Sequence, residues 1–399
     1  MRLLNTLFRS AGAALTLAWV ASGAALADST GVSSNQIKIG VISSMTGPAA
    51  SFGTSNLAGA ILAFEEANAA GGVHGRSIAW SSEDDESSPP KGIAAFKKLT
   101  DSEKVFAIFG PSTSSIVAAL VPSIKQSTVP VMISIASTPA ASDTLIPNLF
   151  RVSTLNDRLQ GAAIADYVTD TLKATRIAIV RQSDEYGKRG VESIQARLKG
   201  KSGLQITEEV FNVTDTDFTS QILRVRAADP EVLIVYAIHG PAAVVTRQAR
   251  QLGVKAKILG SNASSSRSYP ATVGNAAAGT QNIITLNELP ESNEPKMAEF
   301  RAKFEKRFSE YARQGRPEGS DVLAYGGALT FLEGLKRAGP NLTREGFVKA
   351  LESLKNFETG LTLPTTLSAQ SHEGNKSARI LEVQPDLSRK LLPIVIKTE

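Results

Sequence analysis

From Ile37 onward, short runs of β-branched residues alternate with longer stretches whose apolar residues recur at helical spacing, and this constrains the fold more than any other feature of the chain. A strand that pairs in parallel with its predecessor needs a crossover, usually a helix, so the alternation predicts βαβ units around parallel sheets. Residues 37–42 read as the first strand and 55–69 as a helix with Leu57, Ile61, Leu62 and Phe64 inward, ended by Gly71-Gly72. The units 77–81 with 91–100 and 105–109 with 114–127 follow, then the strand 129–133. A second series starts after Phe150-Arg151: helix 158–172, strand 176–180, helix 188–199, strand 205–211, helix 218–228, strand 232–236, helix 242–252 and strand 257–259. Two such series predict an α/β protein of two doubly wound lobes, and 399 residues are too many for one ordinary domain.

The C-terminal third changes character. Residues 294–313, 321–338 and 343–354 read as three helices with little strand between them, so they cannot build a sheet of their own. The chain is expected to return to lobe one near 283–286, donate these helices, and cross again near Glu358 to give lobe two its last strands, 379–383 and 391–397. Lobe one is then 28–153 plus 286–357, and lobe two 154–285 plus 358–399. Three crossings form a hinge suited to closing on a ligand.

The first residues place this fold outside the cytoplasm. Arg2 and Arg9 precede an apolar run over 11–26, and Ala25-Leu26-Ala27 stands directly before Asp28, which reads as a signal peptide (1–27) cleaved after Ala27. No Cys follows that point, so a lipid anchor there is not expected, and zero Cys excludes a disulfide framework, a Cys zinc site and a thiol nucleophile. The net charge of +5 comes from Lys and Arg scattered among acids, not gathered in a stripe, so no nucleic-acid partner is expected.

Two hydroxyl clusters mark where a ligand would sit. Gly110-Pro111-Ser112-Thr113-Ser114-Ser115 follows a buried strand and opens a helix, whose first N–H groups and positive dipole end suit an anion. The plainer reading is that these hydroxyls cap the helix. Ser134-Ile135-Ala136-Ser137-Thr138 ends the next strand, and in an open α/β sheet ligands lie outside such strand ends, so the pair favours a carboxylate site. Phe52, after the first strand, is either a pocket wall or packing. Tyr186, in Asp184-Glu185-Tyr186-Gly187, reaches across the cleft from lobe two or marks a helix entry. Glu83-Asp84-Asp85-Glu86 reads as a solvated loop before a helix. Signs of catalysis are thin: there is no G-x-S-x-G elbow or phosphate loop, and His74, His239 and His372 are far apart. Only His239, after the strand 232–236, is expected to face the cleft and hydrogen-bond a ligand. A hydrolase using Ser114 with His239 would draw them from opposite lobes with no third orienting group. No cofactor or metal is implied.

Taken in order, Ile37-Lys38-Ile39-Gly40, Met45-Thr46-Gly47-Pro48, Asn68-Ala69-Ala70-Gly71-Gly72-Val73-His74-Gly75, Asp84-Asp85, Gly110-Pro111-Ser112, Asp184-Glu185-Tyr186-Gly187 and Arg247-Gln248-Ala249-Arg250 resemble the periplasmic leucine/isoleucine/valine-binding proteins of branched-chain amino-acid importers. The resemblance runs from about Ser34 to beyond Val383. It implies a type I periplasmic binding protein fold, a venus-flytrap closure, and docking onto the membrane permease and ATPase subunits of an ABC importer; a monomer is expected. It also implies that Ser114, Ala136 and Thr138 hold a ligand carboxylate and that Tyr186 covers it. The acidic residue that such proteins set against the ligand ammonium falls on Asn262, an aromatic position falls on Phe52, and a second lobe-two Tyr falls on Ile238 or His239. An ammonium buried without a counter-charge costs several kcal/mol. The expected ligand is therefore a carboxylate without an α-amino group, an aromatic or hydrophobic organic acid; the alternative is an amino acid, with Asp84 or Asp85 supplying the charge.

Overall fold

The computed structural model describes residues 28–398, so the expected signal peptide lies outside the described residues. Lobe one is a parallel sheet of β1 (Gln36–Ser43), β2 (Ser77–Asp84), β3 (Ala107–Phe109), β4 (Val131–Ile133) and β5 (Leu149–Arg151), in the order β2-β1-β3-β4-β5. Side chains alternate across a strand. Ile39 and Val41 of β1 with Phe109 of β3 therefore pack on one face, while Ile42 and Ile108 pack on the other. The first face carries the helices Ala50–Ala69 and Gly319–Ala338, and the second carries Pro89–Lys97 and Ser114–Lys125.

Lobe two is a sheet of β6 (Arg176–Gln182), β7 (Gln205–Phe211), β8 (Val232–Tyr236), β9 (Lys257–Gly260), β10 (Gln281–Ile284), β11 (Ser377–Val383) and β12 (Arg389–Lys397), in the order β12-β11-β10-β9-β8-β6-β7. β10 to β7 are parallel, and the hairpin of β11 and β12 joins antiparallel at one edge. The same alternation splits its core: Ile177 and Ile234 face one layer, Ala178 and Leu233 the other.

The architecture is the expected α/β one of two lobes, with differences that have physical causes. The first helix begins at Ala50; Leu62 and Phe64 are buried as expected, but Leu57 and Ile61 are only half-buried, and Ser55, Ala58 and Gly59 make the face against the helix Gly319–Ala338. Gly59 explains why, because a Cβ there would lie 2.5 Å from the Tyr325 nitrogen on the helix Gly319–Ala338. Close helix contact through small residues leaves no large apolar stripe to read.

The chain passes between the sheets three times. Val152 packs in the lobe-one core and Leu155 in that of lobe two; Ile283 packs in lobe two and Ile284 and Leu286 in lobe one. The third passage differs from the boundary expected at Glu358. Residues 357–374 stay on lobe one, where Phe357 bridges to Thr365, Leu361 and Leu367 enter the core, and the Gly374 N–H donates to the Arg151 carbonyl at 2.8 Å. The crossing falls at Asn375 and Lys376, just before β11. The segment has no regular strand or helix, so no periodicity marked it.

Candidate functional site

Both sheets reverse strand order next to their first strand, β1 against β3 in lobe one and β6 against β8 in lobe two. The crevice outside such a reversal is where open α/β sheets bind ligands. The carboxyl ends of these strands face one another across a cleft of about 550 Å³, inside the roughly 300–1,000 Å³ typical of small-molecule sites.

The lobe-one wall is set by backbone geometry. β3 leaves the sheet through Gly110 at φ +106°, where a Cβ would lie 2.2 Å from the Ile42 carbonyl oxygen, so only glycine turns the chain here. Ser112 Oγ accepts from the Ser44 N–H at 3.1 Å and ties this loop to the end of β1. Ser114 then opens the helix Ser114–Lys125, and no side chain caps it. The capping reading of this cluster therefore fails, and the first-turn N–H groups stay available beside Ser112, Thr113, Ser114 and Ser115, all of which line the cleft.

The second cluster is shaped from inside. Arg151 is fully buried; its Nε donates to the Ala136 carbonyl at 3.1 Å, its Nη2 to the Thr138 carbonyl at 2.5 Å, and its Nη1 pairs with Glu373 at 2.7 Å. The Asp157 N–H takes the Ser137 carbonyl at 2.7 Å. Three successive carbonyls are thus held by protein donors, while the N–H groups of Ala136, Ser137 and Thr138 donate to no acceptor among the described residues. A loop whose carbonyls are fastened inward and whose N–H groups are unspent suits an anion.

Lobe two supplies the facing wall. Tyr186 lies in the first turn of the helix Glu185–Leu198, capped by Asp184, whose Oδ1 accepts from the Gly187 N–H at 3.1 Å. The Tyr186 ring packs against Tyr236 with centroids 4.8 Å apart, and its buried hydroxyl has no hydrogen-bond partner. Burial and the nearby Asp157 push that hydroxyl's pKa far up, so it stays protonated. Beneath it, Tyr236 donates to Asp157 Oδ1 at 2.6 Å, Gln160 donates to Tyr236 at 2.9 Å, and the Asn262 N–H donates to Gln160 Oε1 at 2.8 Å. Burial pushes the Asp157 carboxyl up to about 7, against the lowering effect of the Tyr236 hydrogen bond. His239 starts the helix His239–Gln251, and its ring meets Phe52 of lobe one edge-on at 5.9 Å. Burial lowers its pKa, which favours neutral imidazole.

Phe52, Ser114, Ala136, Tyr186, His239 and Asn262 are thus brought together on one cleft. Thr138 is not. It is fully buried outside the cleft wall, its hydroxyl accepting from the Ala140 N–H at 3.3 Å to cap a short turn and donating to Glu185 of lobe two at 3.4 Å; Ser137 lines the cleft in its place. Asp84 and Asp85 do not reach the cleft either. Asp84 holds the Met45 N–H at 2.9 Å, and Asp85 holds the Ser44 hydroxyl at 2.5 Å. The carboxylates that do line it are Asp184 and Glu318. Sequence reasoning missed both as charges, along with Gln160, Gln182 and Arg316. Asp184 carried a signal in the Asp184-Glu185-Tyr186-Gly187 motif, and Gln160 a weaker one, three residues after Asp157 at a helix start.

A family model described as periplasmic binding protein matches residues 36–388. A Leu/Ile/Val-binding protein homolog 3 of Brucella melitensis is 25% identical over 325 residues, spanning 82% of this chain and 85% of that protein. The crystal structure of the branched-chain amino acid transporter substrate binding protein LivJ from Streptococcus pneumoniae, in complex with isoleucine, superposes with a TM-score of 0.76 at 25% identity, covering 90% of this chain and 99% of that one. A fatty acid ABC transporter substrate-binding protein from Thermomonospora curvata superposes with a TM-score of 0.81 at 23% identity, covering 93% and 95%, and shares the fold.

Proposed function

The chain belongs to the periplasmic binding protein family, and from that premise we propose that it is the solute-binding component of an ABC importer that captures an amino acid by its carboxylate. The observation that carries this reading is the loop Ala136–Thr138, whose carbonyls are held by Arg151 and Asp157 while its N–H groups stay unspent. The Ala136 and Ser137 N–H groups, the Ser114 hydroxyl and the helix N-terminus behind it form a carboxylate cradle. Tyr186 and His239 close over the ligand from lobe two, and Phe52 flanks its side chain. A ligand that touches both walls binds the closed form better than the open one, and that difference drives closure.

An α-ammonium finds its counter-charge in Asp184 and Glu318 instead of at Asn262. The organic acid expected from Asn262 alone is not supported by relatives named for leucine, isoleucine and valine. The same family supports a periplasmic location and a membrane permease with its ATPases as partner. The role is binding without turnover, by a monomer.

A thermal-shift panel on ligand-stripped protein tests the reading, since a ligand selective for the native state raises the melting temperature. Leucine, isoleucine, valine and other α-amino acids are expected to raise it more than matched acids lacking the amino group. A shift with the deaminated acids alone would return the site to organic acids.

A further inference from the structure

The carboxylate cradle occupies only one end of the cleft. Ser114 and Ser115 open a helix on one face of the lobe-one sheet, whereas Thr54, Ser55, Arg316 and Ser320 belong to elements packed on the other face and line the same cleft. This second wall sets a charged, hydroxyl-bearing cluster beside the apolar Phe52, Leu286 and Leu323. Arg316 is 11% exposed and pairs with the fully buried Asp321, its Nε donating to Oδ2 at 3.0 Å. Its Nη1 donates to Thr54 Oγ1 at 3.3 Å and its Nη2 to Ser55 Oγ at 3.2 Å. The Ser320 hydroxyl donates to Ser55 Oγ at 2.9 Å. The Tyr311 ring lies under the guanidinium, 4.0 Å from its carbon to the ring centroid.

An aliphatic side chain pressed against Arg316, Thr54 and Ser320 would strip water from a guanidinium and two hydroxyls and return nothing to them, Ser55 being already fully buried. One Nη1 hydrogen of Arg316 has no acceptor among the described residues, and a planar guanidinium held on its other sides presents that donor in a fixed direction. We infer that the cleft takes a carboxylate ligand whose far end carries an oxygen acceptor, an amide or a second carboxylate, received by Arg316 beside Thr54 and Ser320. This rests on carboxylate capture at Ser114, Ala136 and Ser137.

The test uses calorimetric titration of the ligand-stripped protein with length-matched pairs: glutamine and glutamate against norleucine, and glutarate against hexanoate. The acceptor-ended member of a pair is expected to bind at least about 10-fold tighter, one hydrogen bond to a charged group. Arg316→Met combined with Asp321→Asn removes the donor without leaving a buried charge unpaired and is expected to collapse that ratio towards one, whereas Ser320→Ala, which keeps Arg316, is expected to preserve it. Norleucine or hexanoate binding as tightly as its partner overturns the second subsite and leaves carboxylate capture standing. Acceptor-ended ligands that keep their advantage in the Arg316→Met/Asp321→Asn variant overturn the assignment to this wall, as does an advantage lost in Ser320→Ala. No binding by any member overturns carboxylate capture and this inference with it.

Discussion

At the scale of single residues, Ser114 and Thr138 separate although both were expected to hold the ligand. Ser114 lines the cleft with no capping duty, so Ser114→Ala is expected to remove a hydrogen bond to a charged group, about 1.5–3 kcal/mol or about 10- to 150-fold in Kd, with little change in melting temperature. Thr138→Ala is expected to behave the other way, losing about 1 kcal/mol of stability with its turn cap and weakening binding less than Ser114→Ala does. Calorimetry and melting curves on the two variants separate these outcomes. Asp157 adds a pH signature. Its carboxyl is raised to about 7 in the folded protein, against about 3.9 in a free chain. Between these values the native state binds the extra proton, so this contribution to stability is complete below about pH 4 and is lost as pH rises towards 7. Asp157→Asn is expected to flatten the fall of the urea midpoint across that window; an unchanged slope would remove Asp157 as its source.

At the scale of elements, the cradle is a loop fastened from behind by one side chain. Arg151 sits on β5 and Glu373 on the segment before β11, so the pair joins pieces of chain far apart in sequence. Arg151→Met leaves Glu373 buried and unpaired, and is expected to cost about 3–5 kcal/mol and to speed hydrogen exchange at Ala136–Thr138. These contacts also show what sequence could convey. Strand ends, β-branched runs and hydroxyl clusters are local, so β1, β3, β4 and the Ser112–Ser115 and Ala136–Ser137 walls were legible. Arg151, Arg316 and Glu318 act through partners on other elements, and no local pattern marks a residue whose role is fixed by a distant one. The stretch 358–374, expected on lobe two, lies on lobe one for the same reason, because bridges and single apolar contacts hold it there.

At the scale of the molecule, the lobes touch across the cleft through a few polar contacts. Glu318 of lobe one accepts from the Ser266 hydroxyl at 2.9 Å, the Ser268 N–H at 3.3 Å and the Arg267 N–H of lobe two, while Phe52 meets His239. A few polar contacts and three chain crossings suit the ligand-stabilised closure proposed above. Glu318→Ala is expected to weaken ligand binding about 10-fold and to raise the radius of gyration of the ligand-bound protein in small-angle scattering; a variant as compact as the wild type would show that Glu318 does not hold the lobes together. The central claim, capture by a carboxylate, is tested most directly by titrating wild-type protein and Ser114→Ala with the best amino acid from the thermal panel and with its carboxamide. The carboxamide is expected to lose most of the affinity in the wild type, and Ser114→Ala to narrow the gap; equal binding of the two ligands to the wild type would rule out capture by the carboxylate.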